Sequence, residues 1–509
     1  MSERGKPILE PDDEHNRALL ANVHPHDWVN PEAAERYHMV VVGAGTAGLV
    51  TAAISAGLGA RVALVERQLM GGDCLNVGCV PSKAVISAAR AWHAAREAEG
   101  AFGGPAAGGH GDFARAMERM RRLRAGISAV DGAERFRDLG VDVFLGEGSF
   151  VASDALEVDG RRLKFRRATV ATGARAVALP IPGLADVDYL TNESVFSLTE
   201  LPRRFGVIGG GPIGCEMAQA FARFGSRVTV FDVADHVLPR EDRDAAAVVQ
   251  KALAADGVTL HLGVKIREIR KDRDAKVVVA ETADGRSVEV AVDRILLSVG
   301  RAPNVEGMGL EAAGVEYDKT GVKVDARLRT TNRRVFAAGD VASRPYKFTH
   351  AADAHARLVV RNAFFFGHGK DADLVIPWAT YTSPEIAHVG LYEHEARQQG
   401  HEVETITIPF HDVDRARLDG EDDGFFRVHL RQGSDEILGA TLVAAHAGDL
   451  ISAVAFAMTH KLGLSKLSST IFPYPTQAEV LRKAGDRYNR GRLTPAAKRF
   501  FELWFKVFR

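Results

Sequence analysis

The sequence predicts an α/β protein with two Rossmann-like βαβ domains. Three observations carry this: a glycine fingerprint that occurs twice, an acid equally distant from each copy, and the order of apolar runs around them. The first copy, HMVVVGAGTAGLVTAAISAGLGARVALVE, opens with a β-branched run and turns at Gly43-x-Gly45-x-x-Gly48. It continues as a small-residue helix and closes on a strand ending at Glu66. The second, RFGVIGGGPIGCEMAQAFARFGSRVTVFD, repeats that order through Gly209-x-Gly211-x-x-Gly214 to Asp232. In both, the acid follows the first glycine by 23 residues. A single GxGxxG carries little weight in a chain with 50 glycines, but two copies in βαβ context point to two dinucleotide sites.

Each residue type has a physical reason. The first glycine permits a tight turn, the second lets backbone approach a pyrophosphate, and the third allows close helix–strand packing. The helix N-terminus then offers amide donors and partial positive charge to the phosphates. Glu66 and Asp232 are expected to accept hydrogen bonds from ribose hydroxyls. Asp232 would repel a 2′-phosphate, and Val233-Ala234-Asp235-His236 supplies no arginine to bind one, so NADH is expected over NADPH at the second site.

Composition narrows the class. At about 150 residues per domain, 509 residues accommodate three domains or more. With 65 Lys and Arg against 66 Asp and Glu, nucleic-acid binding and polyanionic disorder are not expected. Three cysteines are too few for a secreted disulfide scaffold. The N-terminal MSERGKPILEPDDEHNRALL lacks the apolar core of a secretion signal, which suggests a cytoplasmic protein. Met39 to Ala60 is uncharged and long enough to suggest a membrane span, but five glycines and the Val40-Val41-Val42 run favour strand, turn and helix.

After the first βαβ unit comes GGDCLNVGCVPSKA, with Cys74 and Cys79 separated by four residues. Zinc needs about four ligands, and no second cysteine pair completes such a site. The pair reads as a reversible disulfide beside a flavin, with buried structural cysteines as the alternative. A helix N-terminus and Lys83 would favour the thiolate. Cys215, inside the second helix, reads as a packing residue.

This combination resembles the flavoprotein disulfide reductase family, which includes dihydrolipoamide dehydrogenase, glutathione reductase and mercuric reductase. The likeness runs from about Tyr37 to Gly491 and includes Ala171-Thr172-Gly173, Gly300-Arg301-Ala302-Pro303-Asn304 and Val335-Phe336-Ala337-Ala338-Gly339-Asp340. It implies FAD at the first fingerprint, with Lys83, Thr172, Gly173, Asp340 and His350 around it. His350 reads equally well as an ordinary capping or core histidine. The nicotinamide would lie at the second fingerprint with Gly300. An α+β C-terminal domain, opening near PWATYTSPEIAHVG, would form a homodimer. The implied boundaries are an N-terminal extension over 1–37, the FAD domain over 38–195 and 311–375, the NAD domain over 196–310 and the dimerisation domain over 376–509. Hydride would pass from nicotinamide to FAD, and electrons onward to Cys74 and Cys79. Cys74 would face substrate and Cys79 the flavin, with Lys83 and Glu216 paired beside the ring.

The substrate is read near the C-terminus. Lipoamide and glutathione reductases carry His-Pro-Thr-x-x-Glu there, contributed across the dimer interface, whose histidine moves the proton for thiol–disulfide exchange. This chain has Tyr474-Pro475-Thr476-Gln477-Ala478-Glu479, preceded by Phe472. A phenol, with a pKa near 10 against about 6.5 for imidazole, is a poor shuttle at neutral pH. Phe-Pro-Tyr resembles mercuric reductase, which implies a soft metal ion such as Hg(II) held transiently by Cys74 and Cys79. Unlike most mercuric reductases, the chain has no cysteine after Cys215, hence no terminal vicinal pair, and none in residues 1–37. A reductase of a small or protein-bound disulfide, resembling dihydrolipoamide dehydrogenase, and a flavin- and NADH-binding sensor acting through a partner remain the alternatives.

Three segments stand apart. Thr494-Pro495 starts an amphipathic helix through Arg509, whose aromatic face packs on its own dimer or meets a partner or membrane surface. Gly100 to Gly111 reads as a flexible loop. Residues 1–37 read as a polar arm lying on the partner subunit, with His24 and His26 solvated.

Overall fold

A computed structural model describes residues 7–106, 111–365 and 367–508. Part of the expected glycine-rich loop (107–110) and the end of the expected C-terminal helix (509) lie outside the described residues. There are two compact units. One runs to residue 235 and resumes over Gly257–Leu374; the other comprises His236–Asp256 and the chain from Val375.

The first unit holds both fingerprints. Strand Tyr37–Val42 lies between Val62–Glu66 and Arg161–Val170, with Val141–Leu145 outside Val62–Glu66. In sequence order that is third, second, first, fourth, all parallel. Met39 and Val41 enter one core while Val40 and Val42 enter another, so both faces are covered. That explains a continuous β-branched run rather than an alternating one. The segment Met39 to Ala60 is thus a strand and the helix Thr46–Gly57. Among the described residues no helix is long and apolar enough to cross a membrane.

The second fingerprint rebuilds the same order. Arg204–Ile208 lies between Arg227–Phe231 and Arg294–Leu297, with Thr259–His261 outside, again all parallel. The chain then returns to the half that holds the first fingerprint at Arg301–Pro303, which pairs with Ala174–Ala176.

The second unit is α+β. Its five-stranded antiparallel sheet orders Trp378–Thr380, Glu385–Gly390, Ile437–Ala444, Phe425–Arg431 and Val403–Pro409. Helices Ala447–Thr459 and Glu479–Gly491 share a core with it through Val454, Leu481, Phe426 and Val428. The segment His236–Asp256, within the span assigned by sequence to one nucleotide domain, belongs to this unit. Glu241 explains the attachment: Trp378 Nε1 and Tyr392 Oη donate to its carboxylate at 2.9 and 2.6 Å. Arg427 adds ion pairs to Asp242 and Asp244.

The N-terminal arm is not the wholly polar segment expected from the sequence. Its helix, Glu14–Val23, buries Leu19 and Val23 completely in the core of its own unit. Arg121 Nε donates to Asp13 at 2.5 Å, and Arg124 donates to Asn16 Oδ1 at 2.6 Å. A helical stripe of Asn16, Leu19 and Val23 is diluted by charges in the sequence, which is why the segment read as wholly polar. His24 meets the Gln68 carbonyl, while His26 is exposed.

The two turns are near-replicas. Gly43 and Gly209 have φ of +100° and +108°. A Cβ on Gly48 would lie 1.8 Å from the Gly43 carbonyl oxygen, and one on Gly214 would lie 1.9 Å from that of Gly209. Gly214→Ala is therefore expected to destabilise the protein by about 1–3 kcal/mol through overpacking. Urea unfolding measures this, and parental stability in the variant would contradict it.

Candidate active site

The sites begin at the fingerprint helices. Gly45 and Gly211 occupy the N-caps with matching backbone, φ −76° and ψ −174° against φ −75° and ψ −176°. Neither has a side chain to occupy the amides of the first turn. Around a Cβ on Gly211 nothing lies within 4 Å, and on Gly45 the nearest atom, Gly72 Cα, is 3.7 Å away. Both turns are open cradles of N–H donors, as a pyrophosphate requires.

The acids do more than the sequence suggested. Glu66 accepts from the Ala44 and Gln68 amides at 2.7 and 2.8 Å. Asp232 accepts from the Gly210 and Ala234 amides at 2.5 and 2.7 Å. Each carboxylate thus ties down the residue after the first glycine, and its remaining lone pairs can still meet ribose hydroxyls. Burial raises the Glu66 carboxyl above its ordinary pKa.

Beside the first fingerprint, Thr172 Oγ1 donates to the Asn304 carbonyl at 2.8 Å and Asn304 Nδ2 donates back to the Thr172 carbonyl at 2.8 Å. Gly173, at φ +68°, follows. Gly300, at φ +123°, precedes the strand that pairs with Ala174–Ala176. Burial pushes the Asp340 carboxyl up, offset by the charges of Arg301 and Lys347. Arg301, Lys319, Lys347 and Asp340 line a cavity of about 470 Å³, a cation-rich wall suited to a phosphoryl group. Together with the open cradle at Gly45, these residues fit FAD.

The dithiol sits where a short helix is followed by a long one. Cys74 belongs to Gly72–Asn76, and Cys79 is the first residue of Cys79–Phe102. The two cysteines do not titrate alike. The Cys74 thiol donates to Cys79, which with burial holds Cys74 well above the usual thiol range. Cys79 is pulled down to about 6, first by that hydrogen bond, then, against the push of burial, by Thr349 and the charge of Lys83. Lys83, one turn along from Cys79, forms a 2.9 Å ion pair with Glu216 of helix Pro212–Phe224. The first unit therefore brings together Cys74, Cys79, Lys83 and Glu216. His350 is the second residue of helix Thr349–Phe364, its ring parallel to that of Phe348 at 5.5 Å. Cys215 is fully buried, donating to the Gly210 carbonyl at 3.2 Å.

Sequence reasoning missed Thr349, whose Oγ1 lies 3.3 Å from Cys79 Sγ. A hydroxyl at a helix start, beside the histidine that drew attention, was the available signal. It also passed over Arg301 as a site residue, although Arg301 pairs with Asp73, next to Cys74 in the chain.

Tyr474 and Glu479 belong to the second unit. Tyr474 Oη donates to Asp414 at 3.0 Å, and that bond raises its pKa. Glu479 is buried at the start of its helix, with Oε1 2.7 Å from Arg482. Its Oε2 has no hydrogen-bond partner among the described residues. Tyrosine and glutamate are not joined.

Residues 37–356 match the family described as pyridine nucleotide-disulphide oxidoreductase, and residues 376–485 match its dimerisation domain. The chain belongs to that family. It is a flavoprotein disulfide oxidoreductase, and the family is FAD-dependent and uses a pyridine nucleotide. The chain is 35% identical to the mercuric reductase of Bacillus cereus, over 90% of its own length and 72% of the relative's. It is also 35% identical to the dihydrolipoyl dehydrogenase of Thermus scotoductus, over 89% and 98%. Among solved structures it is similar to the Cu(II) complex of the HOCl-induced flavoprotein disulfide reductase RclA from Escherichia coli. The TM-score is 0.78 and identity 29%, covering 88% of this chain and 99% of that one.

The thiolate environment gives a direct test. Because the Cys79 pKa is depressed, its thiolate persists above a pH of about 6 and is lost as pH falls through that value. Thr349→Val should shift this transition upward in the reduced holoenzyme, followed by thiolate absorbance. An unchanged or lowered transition would mean that the hydroxyl does not stabilise the thiolate.

Proposed function

We propose that the protein is a homodimeric FAD enzyme that uses NADH to reduce a soft metal ion such as Hg(II), held between Cys74 and Cys79. The observation that carries this reading is the state of the shuttle position. Reducing a disulfide requires a proton for the leaving thiolate, but Tyr474 donates its proton to Asp414, and Glu479 Oε2 accepts no hydrogen bond among the described residues. A phenol with a raised pKa is a weak acid for that task. A thiolate-bound soft ion takes electrons without such a proton. The likeness to a mercuric reductase and to a reductase solved with Cu(II) supports a metal acceptor.

Bound FAD supplies two-electron exchange between nicotinamide and the dithiol. The cradles at Gly45 and Gly211 hold the pyrophosphates, and the Lys83–Glu216 pair fixes a positive charge near Cys79. Cys79, the more acidic thiol, is the flavin-side thiolate; Cys74, the less acidic, meets the ion first and loses its proton on binding. The sum is NADH + Hg(II) → NAD⁺ + H⁺ + Hg(0). Asp232 sets the donor, since its carboxylate opposes a 2′-phosphate.

Anaerobic NADH reduction should give a thiolate–flavin charge-transfer band, and NADH oxidation should be faster with Hg(II) than with lipoamide. Rapid lipoamide turnover with little metal reduction would instead support the dihydrolipoyl dehydrogenase-like reading. Tyr474→His should raise disulfide turnover about tenfold or more; no gain would show that the missing shuttle is not limiting. kcat/KM should favour NADH over NADPH by about tenfold or more, and an NADPH preference would reject the role given to Asp232.

A further inference from the structure

The helix Pro495–Val507 has no part in the chemistry above. Thr494 caps it, accepting from the Ala497 amide at 3.2 Å, and Pro495 stands at its first turn, so its start is well defined. None of its residues is buried: Phe500 is 60% exposed, Leu503 64% and Phe505 64%. At 3.6 residues per turn, Leu503, Val507, Phe500, Trp504, Phe508, Phe501 and Phe505 fill a continuous arc of about 200°. Lys498, Arg499, Glu502 and Lys506 share the remainder. The rings run along the axis in pairs, Phe500 with Trp504, Phe501 with Phe505 and Trp504 with Phe508, forming one aromatic surface.

Charge identifies what covers this face. The whole chain is nearly neutral, yet from Arg487 to Phe508 six cations (Arg487, Arg490, Arg492, Lys498, Arg499 and Lys506) face one acid, Glu502. The match to the dimerisation domain ends at residue 485, before this helix begins. A Trp- and Phe-rich apolar arc flanked by cations is the pattern of a helix lying in a bilayer interface, rings at headgroup depth and cations on anionic lipid. We propose that residues 494–508 dock the enzyme, in the plane of the surface, on an anionic membrane. The oxidoreductase then works at that surface.

The test uses the full-length FAD-loaded enzyme and vesicles of phosphatidylglycerol with phosphatidylethanolamine, against vesicles of phosphatidylcholine alone. Co-sedimentation should be strong with the first, weak with the second, and should fall as salt rises. Trp504→Glu should reduce binding to the anionic vesicles about tenfold or more. The paired change Lys498→Glu with Lys506→Glu should do likewise while leaving the aromatic face intact. Unchanged NADH oxidation in both variants shows that they are folded. Equal binding to both vesicle types, or none to either, overturns the proposal. So does a dimer-to-monomer change on Trp504→Glu without a loss of vesicle binding, which would give the face to a second copy.

Discussion

The structure of the nucleotide-binding half depends on a contact that leaves no room for a side chain. At Gly48 and Gly214 a Cβ would fall inside the carbonyl oxygen of the first glycine of the same turn. Only because it is missing can each helix start against its strand, with first-turn amides pointing outward. Everything downstream inherits that placement: the cradle for phosphates, the acid that ties the loop, and the segment after the first fold unit that carries the cysteines. Interiors pack too densely for this to relax by small adjustments.

Electrostatics then divides two chemically identical thiols. Cys79 gains from a helix start, the Thr349 hydroxyl, the Lys83 charge and the proton offered by Cys74. Cys74 donates that proton and is itself partly desolvated. The asymmetry comes from position alone. Four residues of chain separate a thiol that keeps its proton from one that gives it up.

Legibility in the sequence followed the range of the interactions involved. Both βαβ units were readable because glycine spacing and strand patterns are local, and the Thr494–Pro495 helix start was readable for the same reason. The Lys83–Glu216 pair spans 133 residues and came only through family resemblance. Thr349 reaches Cys79 across 270 residues, and a hydroxyl at a helix start does not by itself name so distant a partner. The attachment of His236–Asp256 rests on the buried carboxylate of Glu241, whose partners Trp378 and Tyr392 lie more than a hundred residues away. The arm was misread because two buried apolar residues, Leu19 and Val23, outweigh a run of charges.

Lys83 and Glu216 also tie two helices whose N-termini have different duties, one at Cys79 and one at the second fingerprint. The same helices are packed through Trp92 against Phe224, and Arg96 holds the Arg223 carbonyl. Such a joint makes the two ends thermodynamic correspondents. Whatever factor nucleotide occupancy imposes on the acidity of Cys79, ionisation of Cys79 must return to nucleotide affinity in equal measure.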